Sequence, residues 1–305
     1  METLEDLSRH IEVARDLQSV VRTMKAVSAV GIRRHEAAER ALRHYLETVE
    51  LGLQAALRDL PDNAPWLAGK DEGGVGIVVI GSEIGLCGGF NERLVDFTLT
   101  RLAEQDIDAE QCQVLVIGTR AEAGWQARTG RLAHLEEAPA TIELLPATVG
   151  RVLTLLDRWR AEDDVSRLLL FHQRIGGPQI SEPVEAPLFP IAPDWLASLR
   201  ARRWPSRRLP VRFGPAESVT RALVRQLLLA RLIGAVIQSH AAEHAERLSA
   251  MQAADKSIGD RLEELRKTHN QQRQSVITAE LLDIIGGYEA ASQRPDDARS
   301  DADEG

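Results

Sequence analysis

The sequence predicts an α/β protein: a long antiparallel coiled coil of N- and C-terminal helices with a small α/β domain, mostly parallel in its sheet, inserted between them. Two observations carry this. Each end of the chain is a long proline-free run with apolar residues at steps of three and four, and the middle alternates short apolar runs with helical segments. The implied divisions are an N-terminal coiled-coil helix over 1–60, an α/β globular domain over 73–214, a C-terminal coiled-coil helix over 215–288 and an acidic disordered tail over 289–305.

The first run carries Leu4, Leu7, Ile11, Ala14, Leu17, Val21, Met24 and Ser28 on one stripe. It continues more loosely through Ala38, Leu42, Tyr45, Leu46, Val49, Leu53 and Leu57 until Pro61 and Pro65 stop it. The second carries Val219, Leu223, Gln226, Ala230, Ile233, Ile237, His240, His244, Leu248 and Met251, and onward to Leu281 and Ile285. Ser218 is the expected N-cap, and Gly286-Gly287 the expected stop. At 1.5 Å per residue the runs span about 85 Å and about 105 Å, against a diameter of roughly 50 Å for a compact chain of this length. Helices that long do not fold inside one globule; burying the stripes against each other is the simplest solution. Gly31, Gly52, Gly234 and Gly259 are the positions where either run can instead break into shorter helices.

Between the runs, Val75–Ile80, Val114–Gly118 and Arg167–His172 read as buried strands. Helical segments lie near Asn91–Glu104, Arg120–Arg128 and Ala147–Ala161, and Pro178–Pro190 offers a further strand. Alternating β and α elements imply a mostly parallel sheet covered by helices.

Composition excludes several classes. The formal charge is −9, against general nucleic-acid binding, which needs basic surface. The two cysteines, Cys87 and Cys112, form no CxxC pair and fit a reducing compartment. The acidic start, Glu2, Glu5 and Asp6, is no signal peptide, and no run approaches the ~18 consecutive apolar residues of a membrane span. The last fifteen residues hold five acids, two arginines and no large apolar group, as a disordered tail does.

Four motifs carry possible chemistry. Gly81-Ser-Glu-Ile-Gly-Leu-Cys-Gly-Gly89 follows a strand and precedes a helix, where phosphates are cradled. It lacks the Lys-Ser/Thr of a P-loop and the GxGxxG spacing, so it is read as a tight turn and the chain is not expected to bind ATP by itself. His240-Ala-Ala-Glu-His244 has the H-x-x-E-H spacing of one metallopeptidase class, but both histidines sit on the stripe and no third ligand is evident, so no metal is expected. Arg200, Arg202, Arg203, Arg207, Arg208 and Arg212 surround Trp204, and read as a solvated loop or strand edge before a docking patch. Cys87 precedes a helix start but has no histidine base beside it in sequence, and reads as a buried small residue. No catalytic constellation and no cofactor site emerges.

Several separate segments resemble the gamma subunits of F-type ATP synthases. They are Val20-Val-Arg-Thr-Met-Lys-Ala-Val27 with Ile32-Arg-Arg34, Ile84-Gly-Leu-Cys-Gly-Gly-Phe-Asn91, Glu246–Asp255 and Asn270–Leu282, in the family's order over roughly 1–290. The resemblance implies the central rotating shaft of an F-type ATPase, itself non-catalytic, coupling ATP synthesis or hydrolysis to H⁺ or Na⁺ transport. The implied partners are the alpha and beta subunits of the catalytic hexamer, an epsilon-type rotor subunit and the membrane c-ring, with no nucleic acid, no membrane span of its own and a place at the cytoplasmic face of the membrane. It places Met24, Lys25, Arg273, Gln274, Thr278 and Glu280 at the rotor–stator contact, and Gly85, Gly88, Gly89 and Asn91 in a structural turn. The acidic start, Glu83-Ile84 before Gly-Leu-Cys-Gly, and the acidic tail look like the divergent sodium-linked N-ATPase branch. The competing readings are a coiled-coil adaptor with a non-catalytic α/β domain, and a small α/β enzyme using the glycine turn.

Overall fold

A computed structural model describes residues 3–58, 60, 73–176, 180–208 and 210–292. In chain order these form α1 (Leu4–Leu57), β1 (Gly74–Ile80), α2 (Phe90–Glu104), β2 (Gln113–Ile117), α3 (Thr119–Thr129), β3 (His134–Glu136), α4 (Leu145–Glu162), β4 (Val165–Ile175), β5 (Ser181–Phe189), α5 (Pro193–Ala201) and α6 (Ala216–Ser292). The chain divides into two compact units, one of residues 1–23 with 252–305 and the other of residues 24–251. Most of the expected acidic tail, residues 293–305, lies outside the described residues.

In the larger unit the sheet order is β3-β2-β1-β4-β5, parallel except for the antiparallel β4–β5 pair. Successive residues of a strand face opposite sides, so a strand buried on both faces reads as an unbroken apolar run. In β1, Ile77 and Val79 face a core with Leu94 and Val95 of α2 and Trp125 of α3. Val78 and Ile80 face the other core, with Val149, Val152 and Leu156 of α4, Val49, Leu53 and Leu57 of α1, and Leu227, Leu232 and Val236 of α6. The apolar half of α6 in this unit is therefore spent on the core. The helix carries a window apolar enough by composition to cross a membrane, and half of that window is buried inside the chain.

Within the larger unit α1 and α6 run antiparallel. Tyr45 donates to Gln226 at 2.7 Å, Gln238 donates to Glu39 at 3.0 Å, and His35 lies against His240 and His244. Three of the four glycines named as possible break points instead let the helices approach. A methyl group at Gly31 would lie 2.6 Å from the His244 ring, one at Gly52 3.1 Å from Leu223 and one at Gly234 3.3 Å from Leu42. In the smaller unit the pairing is again antiparallel: Leu7 and Ile11 pack on Leu262 and Leu265, and Gln18 donates to Asp255 at 3.2 Å.

Two helix ends differ from the sequence reading. α6 begins at Ala216, directly after Pro215, whose carbonyl accepts from the Val219 amide at 3.2 Å; Ser218 lies inside the first turn and is not the cap. Gly286-Gly287 does not stop the helix, which runs to Ser292, since a glycine costs a helix only about 1 kcal/mol. Two elements were not legible, the three-residue β3 and α5.

Leu53 is fully buried where α1 meets the sheet core. Leu53→Ala is expected to lower stability by about 2–5 kcal/mol in urea denaturation. An unchanged midpoint would mean that this end of α1 is not part of the folded core.

Candidate functional site

The glycine turn after β1 is a joint between the sheet and α6. Gly81 lies so close to Ala121 and to the Asn91 amide that a methyl group there has no room. The Ser82 amide donates to Asn91 Oδ1 at 3.0 Å, and Asn91 Nδ2 donates back to Ser82 Oγ at 2.8 Å. This closes the turn onto the first residues of α2. Leu86 and Gly88 both take left-handed backbone, at φ of 64° and 59°, and Gly89 sits at the N-cap of α2. Only at Gly88 is that conformation free of steric cost. Glu83 accepts from the backbone amides of Thr119 at 3.3 Å and Ala138 at 3.1 Å, and from the Thr119 hydroxyl. Burial opposes its charge, but these bonds prevail and hold its carboxyl below the usual range.

From α6, Arg247 reaches this turn. Its guanidinium donates to the carbonyls of Ile84 at 2.8 Å and Gly85 at 3.3 Å, and also to Glu243 one turn earlier. Ser239 donates to the Ile80 carbonyl at 2.7 Å, His172 lies 3.0 Å from Gln238, and Glu246 bonds Arg93 and Ser181. One face of α6 thus places a ladder of buried polar groups against the sheet's carboxyl end. Gly85 and Asn91 belong to this joint directly; Gly88 and Gly89 shape its return into α2. Sequence reasoning missed Ser239, Glu243 and Arg247 as joint residues. Their signal was polar side chains interrupting an apolar face, which are costly there unless paired.

The H-x-x-E-H pair belongs to the helix interface. His240 meets His35 edge to face and His244 lies tilted against it, and His35 Nδ1 lies 2.8 Å from the Gly31 carbonyl. Burial holds His240 down to about 3 and His244 to about 4, with the neighbouring imidazoles adding to the effect, so both rings are neutral at pH 7. Glu243 points to Arg247, and its carboxyl is pushed up by burial. Among the described residues no group of three His, Cys, Asp or Glu side chains is arranged to hold a metal ion. Cys87 is buried beside Ser82, and burial raises its thiol, the opposite of what a reactive thiolate needs. Of the arginine cluster, Arg200 lies in the last turn of α5 and Arg202, Arg203, Arg207, Arg208 and Arg212 follow the helix. Arg202 pairs with Glu50 at 2.9 Å, and Trp204 donates to the Arg208 carbonyl at 2.9 Å.

The expected contact residues fall into two groups. Met24 and Lys25 are half-buried on α1 in the larger unit. Arg273, Gln274, Thr278 and Glu280 are all exposed on the last turns of α6 in the smaller unit, where Thr278 donates to the Gln274 carbonyl at 2.8 Å. Around them Val276, Ile277, Leu281, Leu282, Ile284, Ile285 and Tyr288 are exposed, from 40% at Val276 to 77% at Tyr288.

Two outcomes follow. Arg247→Ala removes the bonds to the turn and leaves Glu243 buried without its cation; a loss of about 3–5 kcal/mol is expected by chemical denaturation, partly restored in Arg247→Lys. The histidines set a pH dependence. Each is neutral when folded and near its ordinary value when unfolded, so the unfolded chain binds more protons as pH falls below about 6.5 and stability drops toward pH 4. Glu243 works in the opposite direction. A His240→Gln/His244→Gln variant should therefore show a shallower fall in melting temperature between pH 6.5 and 4.5; an identical slope would place both rings in solvent.

The chain matches a known family over nearly its whole length. The family model described as ATP synthase matches residues 3–291. The chain is 30% identical over 296 residues to the ATP synthase gamma chain of Rubrobacter xylanophilus, covering 95% of this chain and 99% of that one. Its fold is similar to a chain of the mitochondrial ATP synthase of Euglena gracilis, in the OSCP/F1/c-ring structure in rotational state 3, with a TM-score of 0.62 at 16% identity over 98% of both chains. It is also similar to a chain of the central stalk/c-ring structure from Tetrahymena thermophila, with a TM-score of 0.52 at 16% identity over 77% of this chain and 99% of that one. With terminal helices that pair antiparallel, a central sheet locked to the second helix through the glycine turn, and a match over nearly all its length, the chain belongs to the gamma-chain family of ATP synthase.

Proposed function

We propose that this chain is the central rotating shaft of an F-type ATPase, coupling nucleotide turnover in a catalytic hexamer of alpha and beta subunits to ion movement through a membrane c-ring. It is a non-catalytic subunit: the glycine turn serves as a joint and the histidine motif as a helix interface. The single observation that carries the reading is the bare end of α6. Seven large apolar side chains between Val276 and Tyr288 are exposed, and at 3.6 residues per turn they spread over more than half the helix circumference. One partner helix would cover a narrow stripe; a surface this wide calls for an enclosing partner. The family's head hexamer supplies such an enclosure.

On the same reading Arg273, Gln274, Thr278 and Glu280, with Met24 and Lys25 on α1, make hydrogen bonds and ion pairs to the hexamer that change with rotation angle. The α/β domain faces the epsilon-type subunit and the c-ring at the cytoplasmic side of the membrane. The acidic residues Glu2, Glu5, Asp6 and Glu83 support placement in the sodium-linked branch.

Co-expression with the alpha and beta subunits encoded alongside it tests the proposal. One copy of the chain per hexamer is expected, with ATP hydrolysis that depends on its presence. Leu281→Glu with Ile285→Glu should cut that hydrolysis severalfold while leaving the chain's own helicity unchanged. A hexamer that hydrolyses ATP at full rate without retaining the chain would overturn it.

A further inference from the structure

We propose that the arginine-rich segment between α5 and the first turns of α6 is a docking surface for the anionic phospholipid headgroups of a membrane, with Val211 and Phe213 as its apolar anchors. Between residues 200 and 231 the chain carries nine arginines, no lysine and a single acid, Glu217, although its formal charge overall is −9. The segment is a strongly basic island in an acidic protein.

Contacts within the larger unit hold this island at one end of the α/β domain. Arg202 pairs with Glu50 of α1 at 2.9 Å, Arg58, just past α1, lies 5.9 Å from the Trp204 ring, and Arg225 of α6 pairs with Asp157 of α4. The end of α1, the last turns of α4 and the start of α6 therefore meet here. Arg203, Arg207 and Arg208 are exposed and carry no ion pair among the described residues. The chain around them is closed into a turn: Trp204 Nε1 donates to the Arg208 carbonyl at 2.9 Å, and the Arg208 amide donates to Ser206 Oγ at 3.2 Å. The backbone is held while the three guanidinium groups stay unpaired.

The apolar residues beside them select the partner. Phe213 is 88% exposed, more than any other large apolar side chain among the described residues, and Val211 is 77% exposed. They flank Arg212 just ahead of α6. Side chains so placed are unfavourable in water. Arginines interleaved with protruding apolar groups suit a membrane interface. The guanidinium forks bind phosphate in bidentate fashion, and the apolar groups enter the boundary between headgroups and acyl chains. A folded protein would have to supply a pocket for each protruding side chain; lipid does not. A nucleic acid is a long polyanion that would run on from the island over acidic surface, whereas a bilayer meets one end only. The proposal stands on charge and exposure and not on the rotor reading, and the two fail separately because vesicle binding needs no hexamer.

The experiment is co-sedimentation of the full-length chain with vesicles of phosphatidylglycerol and phosphatidylcholine in equal amounts, compared with vesicles of phosphatidylcholine alone. Binding to the mixed vesicles is expected, at least tenfold weaker for the neutral ones and weakening as salt is raised. Arg203→Gln/Arg207→Gln/Arg208→Gln should weaken it at least tenfold, and Val211→Ser/Phe213→Ser at least threefold. Circular dichroism should be unchanged in both, since all five side chains are exposed. No binding to the mixed vesicles, or equal binding to the neutral ones, would overturn the proposal. Undiminished binding by the arginine variant would place the contact elsewhere on the chain. Full-strength binding by Val211→Ser/Phe213→Ser would show a surface that attracts any polyanion, an acidic protein or a nucleic acid included, and would rule out the membrane as its particular partner.

Discussion

The pairing of α1 with α6 is the interaction on which the rest of this structure depends. Its partners are remote in sequence: Gly31 meets His244 and Leu42 meets Gly234. Closing a loop that long is unfavourable, but the penalty grows only with the logarithm of length, so a whole α/β domain can sit inside it at little extra cost. What the pairing must then supply is close contact along a stripe. Gly31, Gly52 and Gly234 do this by removing the side chain at the crossing points, so that His244 and Leu223 of α6 seat directly on the α1 backbone and Leu42 of α1 on the α6 backbone. The glycines weaken each helix taken alone and strengthen the pair.

The second constraint is register. An apolar stripe sliding on another apolar stripe loses little in a shift of one turn, because hydrophobic burial is non-directional. The polar ladder on α6 removes that freedom. Arg247 meets the carbonyls of Ile84 and Gly85, Ser239 meets the carbonyl of Ile80, and Glu246 meets Arg93 and Ser181. A one-turn slip would strand several buried polar groups at once, each at a penalty of about 1–3 kcal/mol. The ladder therefore specifies one alignment of helix and sheet, and it is the joint through which a torque on α6 would reach the α/β domain. A buried ion pair such as Glu243–Arg247 adds little net stability over an apolar pair; its contribution is that alignment.

The residues show why some of this was legible in sequence and some was not. Periodicity reports burial, so α1, α6 and the strands around 75–80, 114–118 and 167–172 emerged directly. β3 did not, because a three-residue edge strand with exposed His134 and Leu135 has no room for a pattern. α5 hides between Pro193 and an arginine run, with Leu199 its one fully buried side chain. Glycine's local propensity left a break possible at Gly31, against the continuous helix that the stripe predicts, and suggested a stop at Gly286; the helix runs through both, and Gly31 is where the His244 ring seats. The turn residues Gly85, Gly88, Gly89 and Asn91 were found through resemblance, whereas Arg247 needed coordinates, since its partners are backbone carbonyls more than 160 positions away.

The polar groups around the glycine turn are largely occupied with each other, and the apolar groups near the end of α6 are exposed. These two facts belong to one design. At the turn, burial raises the Cys87 thiol, Glu83 accepts from Thr119 and Ala138, and Arg247 donates to the turn carbonyls. The helix end instead displays Leu281, Leu282, Ile284 and Ile285 to its surroundings, a surface that is unfavourable in water and favourable inside a partner. Because that surface surrounds much of the helix, its burial does not single out one rotational angle; on the proposed reading the sparse polar groups among it, Arg273, Gln274, Thr278 and Glu280, distinguish one angle from the next. A broad apolar bearing with few directional contacts lets a shaft be held firmly and still turn.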